Sequence, residues 1–161
     1  MKILKLSLLL LSITSISFAQ GFRQTQTDSY TRYELLNPSN QSFRIIYDVS
    51  ATTAGATKYF NGLRVGSEHL VDAVWDLMTG KELNWEIVNG VKAKENGLSN
   101  ANEAGEYLMV DLARPVPEGG QARIRIDKTY KDVNSYYQED GTIVFDRLLG
   151  IKRNSVVLPL G

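Results

Sequence analysis

No cysteine occurs anywhere in the 161 residues, and histidine occurs once, at His69. The first absence excludes disulfide staples, thiol nucleophiles, cysteine-based zinc sites and lipid anchors attached through cysteine. The second excludes a His-Glu-x-x-His metal pair and leaves no spare histidine for a Ser-His-Asp set. His69 sits beside Glu68 and reads as an ordinary surface residue, with a lone general base as the alternative. Neither sign of charge predominates. The 18 basic and 18 acidic residues balance, and loss of Lys2 and Lys5 with an N-terminal leader leaves two more acids than bases. Such a surface has no electrostatic footprint for nucleic acid or an anionic membrane. There is no glycine-rich phosphate loop, because the glycines stand at turns and do not bridge a strand to a helix. Nor is a helical period sustained over any window of about ten residues.

The one long apolar run is at the start. Lys2 and Lys5 form a positive n-region, residues 6–16 an apolar h-region, and Ser17-Phe18-Ala19 puts small residues where a signal peptidase reads them. Residues 1–19 are therefore expected to be a signal peptide cleaved before Gln20, and the product to be secreted or periplasmic. The run is shorter than the roughly 20 residues of a spanning helix, so stable membrane insertion is not expected after cleavage. The remaining chain of about 140 residues suits one domain with a core large enough to stand without staples.

Alternation of period two then governs the chain. Residues 20–28 are polar and read as a flexible tail, followed by one domain over 29–161. Strands are expected over 30–36, 43–49, 106–112, 121–130 and 142–149, with a short one near Tyr59. Residues 89–105 read as a long loop with a short helical turn near Ala101. Turn clusters separate the strands: Asn37-Pro38-Ser39-Asn40, Pro115 to Gly120, and Glu139-Asp140-Gly141. Around Gly80 the pattern predicts a hairpin with a three-residue bulged loop. Leu77 then faces Lys81, Trp75 faces Leu83, Ala73 faces Trp85 and Val71 faces Ile87, which puts the apolar residues on one face. Many short strands with glycine and proline turns imply an all-β fold, a two-sheet antiparallel β-sandwich.

Two groups of side chains are candidate ligand surfaces. In the predicted register Asp76 faces Glu82 and Asp72 faces Glu86, and like charges directly opposite need an offset. The group is then either a calcium site or a carboxylate acid/base pair, or else a solvated face or one covered by Arg123 and Arg125 from another strand. Trp75, Trp85, Tyr136 and Tyr137 form either a sugar-stacking platform or core; the apolar company of both tryptophans favours core.

Residues 107–130, YLMVDLARPVPEGGQARIRIDKTY, resemble a stretch of the N-terminal β-sandwich domain of gluzincin-type zinc aminopeptidases. There a strand ends in a proline-containing turn before glycine, and the next strand closes with a tyrosine. That domain lies ahead of the catalytic domain and helps frame the substrate entrance. The family's zinc-bearing helix and exopeptidase loop are absent from this sequence. The resemblance implies the front part of a larger protein or a stand-alone relative of it, and the ending of the strand pattern at residues 156–161 gives the expectation of a truncated chain.

Two roles follow. One is a non-catalytic accessory domain of a secreted peptidase-like protein, whose partner is a downstream catalytic domain of metallopeptidase type. The other is a free-standing extracellular module that binds a glycan or a protein. No catalytic residue, cofactor or metal is expected of this chain.

Overall fold

The computed structural model describes residues 21–159. The expected signal peptide lies outside them. Eleven strands are present among the described residues: β1 (Gln26–Leu35), β2 (Ser42–Ala51), β3 (Lys58–Gly62), β4 (Glu68–Asp76), β5 (Lys81–Glu82), β6 (Trp85–Asn89), β7 (Glu106–Asp111), β8 (Ala122–Lys131), β9 (Tyr136–Glu139), β10 (Thr142–Phe145) and β11 (Arg153–Val157). One short helix, α1 (Gly90–Glu95), follows β6.

The protein is thus mostly β, but it has three sheets where two were expected. A six-stranded sheet runs β11-β1-β2-β8-β4-β5, a three-stranded sheet runs β3-β7-β6, and β9 and β10 pair alone. The named strands pair antiparallel except for β11, which lies parallel to β1 with Tyr30 opposite Arg153. The larger sheet and the small one share a core. Phe43, Ile45, Tyr47 and Val49 of β2 and Ile124, Ile126 and Tyr130 of β8 join Tyr59, Leu108 and Val110 of the small sheet in one buried cluster. This is the outcome that period-two alternation dictates for strands with one face buried. The other face of the small sheet is also covered: Phe60, Val88 and Met109 pack with Ala93 of α1, Leu98 and Ala101.

The helix falls earlier in the 89–105 segment than the sequence suggests. Asn89 caps it by accepting from the Lys92 N–H, as asparagine does at helix starts. Gly90 opens it because the returning loop crosses there. A Cβ at Gly90 would run into the Asn102 carbonyl, and the Gly90 N–H donates to the Gly105 carbonyl at 2.9 Å.

The hairpin around Gly80 differs from expectation in register and in phase. Asp76 pairs with Lys81 and Trp75 with Glu82, so the loop is the four residues 77–80. A bulge at Asp72, between Val71 and Ala73, then shifts the alternation of β4 by one. Val71 is buried before the bulge; Val74 and Asp76 are buried after it. Trp75 is thereby turned to the outer face, opposite Arg125 of β8. The expected pairs Ala73–Trp85 and Val71–Ile87 do not form, because the chain leaves the large sheet after Glu82. Residues 85–89 pair instead with β7 in the small sheet.

The polar segment read as a tail is anchored where it is described. Phe22 exchanges backbone hydrogen bonds with Gly97 and Ser99. The Gln24 side chain brackets Phe60, donating to its carbonyl at 2.9 Å and accepting from its N–H at 2.7 Å.

Candidate functional site

The sequence-derived ligand surface is dispersed in the structure. Asp76 is buried and organises its own turn: Oδ1 accepts from the Met78 N–H and Oδ2 from the Thr79 hydroxyl, both at 2.9 Å. Asp72, at the bulge, accepts from Thr129 Oγ1 at 2.9 Å on the outer face. Glu82 is exposed beside the loop. Glu86 lies in the other sheet, paired with Lys92 at 2.7 Å. The facing carboxylate pairs therefore do not exist, and among the described residues no three His, Cys, Asp or Glu side chains gather as a metal site would require. Tyr136 is fully buried, its ring against Phe43 and Phe145 and its hydroxyl donating to the Leu36 carbonyl at 2.6 Å. Tyr137, half-buried, is opposite Val144 in the small hairpin. His69 lies half-buried on β4 with its ring 5.9 Å from that of Tyr130.

What the structure does bring together is a set of cations and tyrosines. An open cavity of about 360 Å³ lies between β1, β2, β3 and β8, with Arg64 and Arg147 reaching it from loops. This is within the usual size range of small-molecule pockets. Lys128 lines it. Along β8 the inward positions are Ala122, Ile124, Ile126, Lys128 and Tyr130, so strict alternation carries a lysine onto the core face. Lys128 is only 5% exposed. Its ammonium donates to Asn61 Oδ1 at 2.5 Å, and no carboxylate pairs with it among the described residues. Burial, assisted by the charge of Arg147, lowers its pKa to about 8.

Arg147 is half-buried as a residue, but its side chain is only 8% exposed. Its guanidinium lies over the rings of Phe43 and Tyr130, 5.0 and 5.2 Å from their centroids. The Lys128 ammonium is 5.5 Å from the same Tyr130 centroid, so the two cations flank one ring. Burial holds the Arg147 pKa below its ordinary value, with Arg64 adding to the effect. The one nearby carboxylate is Asp132, whose Oδ2 is 3.4 Å from Arg147 and 3.9 Å from Arg64. It also accepts from Ser135 Oγ at 2.7 Å and Ser67 Oγ at 3.2 Å. Burial raises the Asp132 pKa, but these hydrogen bonds lower it further, so it stays ionised. Three cations thus meet one anion.

The opposite wall is neutral and polar. Tyr59 donates to Gln26 Oε1 at 2.6 Å, and Gln26 Nε2 donates to the Tyr47 hydroxyl at 2.9 Å. Burial pushes the Tyr59 pKa well up, so Tyr59 presents a neutral hydroxyl here. Such an arrangement can hold an oxyanion. It offers no nucleophile–base pair. Lys128 is not among the residues singled out from the sequence, although its place as the next even position after Ile126 marks it; Arg64 and Arg147 stand in irregular segments with no period to mark them.

No protein-family model matches the sequence, and no curated protein matches it. Solved structures do. An M1 zinc metallopeptidase from Deinococcus radiodurans is 14% identical, with a TM-score of 0.48 over 70% of this chain and 22% of its own. A two-domain M1 zinc metallopeptidase variant bound to L-tryptophan reaches a TM-score of 0.50 at 14% identity, over 77% of this chain and 27% of its own. The chain shares its fold with a part of an M1 zinc metallopeptidase. It spans about a quarter of the length of those M1 structures. The residues that carry the resemblance in sequence are β7, the proline turn and β8, which take the chain from the small sheet to the large one.

Proposed function

We propose that this chain is a non-catalytic β-sandwich accessory domain of a secreted peptidase-like protein, acting beside a downstream catalytic domain. The observation that supports this reading is the fold shared with an M1 zinc metallopeptidase over 77% of this chain and 27% of the other. Two features of the chain agree with it. The N-terminal leader has the pattern of an export signal, and the sequence offers one histidine and no cysteine as zinc ligands. A catalytic zinc takes three protein ligands as a rule.

The test is direct. The purified chain is expected to release no product from aminoacyl reporter substrates and to retain no stoichiometric zinc after dialysis. One zinc per chain, lost on chelation together with a hydrolytic activity, would overturn the reading. The gene sequence beyond codon 161 provides a second test: an in-frame continuation carrying His-Glu-x-x-His supports the accessory role. The alternative of a free-standing binding module is favoured by one specific observation, the cation-lined cavity around Lys128.

A further inference from the structure

We propose that the cavity between β1, β2, β3 and β8 is a binding site for a small molecule bearing an oxyanion head, a carboxylate or a phosphate, which sits against Lys128 and Arg147. The inference does not depend on the accessory-domain reading, since it concerns only residues of this chain.

Three observations carry it. First, Lys128 is an ammonium buried on the core face with a single neutral acceptor, Asn61. A buried charge without a counter-ion is expensive, and proteins ordinarily pair it. Its neighbours in the alternation are isoleucine and tyrosine, so any apolar residue would fill the position without that cost. Second, a second cation is brought beside the first. Lys128 and Arg147 flank the Tyr130 ring at 5.5 and 5.2 Å, and Arg64 approaches from the same rim. Two like charges in an enclosed place repel, and Asp132 answers only the arginines. The surplus positive charge faces open volume. Third, that volume is about 360 Å³ and is walled opposite the cations by the Tyr59–Gln26–Tyr47 hydrogen-bonded group. An oxyanion head would satisfy the cations by charge-assisted hydrogen bonds, and the hydroxyl- and amide-bearing wall would meet a polar body.

Binding would also have a proton signature. An anion beside Lys128 favours its charged form and raises its pKa from about 8. Near and above pH 8, complex formation should therefore take up a fraction of a proton per chain.

The experiment is calorimetric titration of the full mature chain with citrate, acetate and inorganic phosphate at low ionic strength, in two buffers of different ionisation enthalpy. The expected result is saturable binding of one anion per chain, with proton uptake near pH 8. Saturation by the carboxylates alone assigns a carboxylate head; saturation by phosphate alone assigns a phosphate. Lys128→Met and Arg147→Gln should each weaken binding by about tenfold or more, while Arg123→Gln, on the exposed outer face of β8, should leave it unchanged. Melting temperatures of all variants separate loss of the site from loss of the fold. No saturation by any of the three anions up to tens of millimolar overturns the proposal. So does a folded Lys128→Met that binds as tightly as the unmodified chain, or an Arg123→Gln weakened as much as Lys128→Met, which would mark diffuse surface attraction.

Discussion

Lys128 shows how one residue can be costly and legible at once. Its pKa falls from 10.5 to about 8 on folding, which corresponds to roughly 3 kcal/mol of destabilisation at neutral pH. The folded pKa is the depressed one, so between about pH 8 and 10.5 the unfolded chain binds more protons. The contribution of this group to stability therefore rises with pH across that window and is at its worst below it. Lys128→Met is expected to be more stable than the unmodified chain by about 1–3 kcal/mol at pH 7. Its advantage should shrink as the pH is raised towards 10. Denaturant unfolding of both proteins at the two pH values checks this, and the difference between them cancels the tyrosines that titrate in common. The parity Ala122, Ile124, Ile126 points to Lys128 without ambiguity, because nothing interrupts β8. Arg147 could not be found that way. It follows β10 in a segment without regular structure, and only the folded chain lays it over Phe43 and Tyr130.

At the scale of an element, β4 explains why the hairpin departs from simple alternation. The run Val71-Asp72-Ala73-Val74-Trp75-Asp76 has apolar residues on both parities from position 73 to 75. Alternation then cannot say which set faces the core, and a bulge at Asp72 selects Val74. Asp76 goes inward with it, an outcome that composition argues against until its two hydrogen bonds to the turn are counted. The tryptophans separate as a consequence. Trp85 packs on the edge of the main core cluster, half-buried, whereas Trp75 lies on the outer face of the sheet. Trp85→Ala should lower stability by about 2–3 kcal/mol, below the full cost of emptying a core site, and Trp75→Ala by less than about 1 kcal/mol. Denaturant melts of the two variants measure it. Equal losses would mean that the shift of phase at Asp72 is absent in solution.

At the scale of the whole molecule, the strands themselves were largely visible, since each is a local pattern. Their partners were not. The large sheet joins β1 to β11 and β2 to β8 across most of the chain, and no local period encodes such a pairing. The core is correspondingly uneven. β8 is flanked by β2 and β4, and its inward residues Ile124, Ile126 and Tyr130 are almost fully enclosed. Among the described residues the β9–β10 hairpin pairs only with itself, and β11 has one neighbour. Native-state hydrogen exchange should be slowest for the amides of β8 and β2 and markedly faster for β10 and β11, because opening the outer elements exposes little of the core. Uniform protection across all strands would contradict this ordering.

The parallel pairing of β11 with β1 has a consequence for how the chain is made. Synthesis runs from the N-terminus, so β1 and β2 emerge early and can form a hairpin through the turn at Pro38–Asn40. The outer edge of β1 has no partner until residues 153–157 have left the ribosome. Unpaired strand edges are templates for other chains. From the moment β1 emerges until those residues follow it, the nascent protein therefore carries one open seam, and a strand more than a hundred residues downstream is needed to seal it.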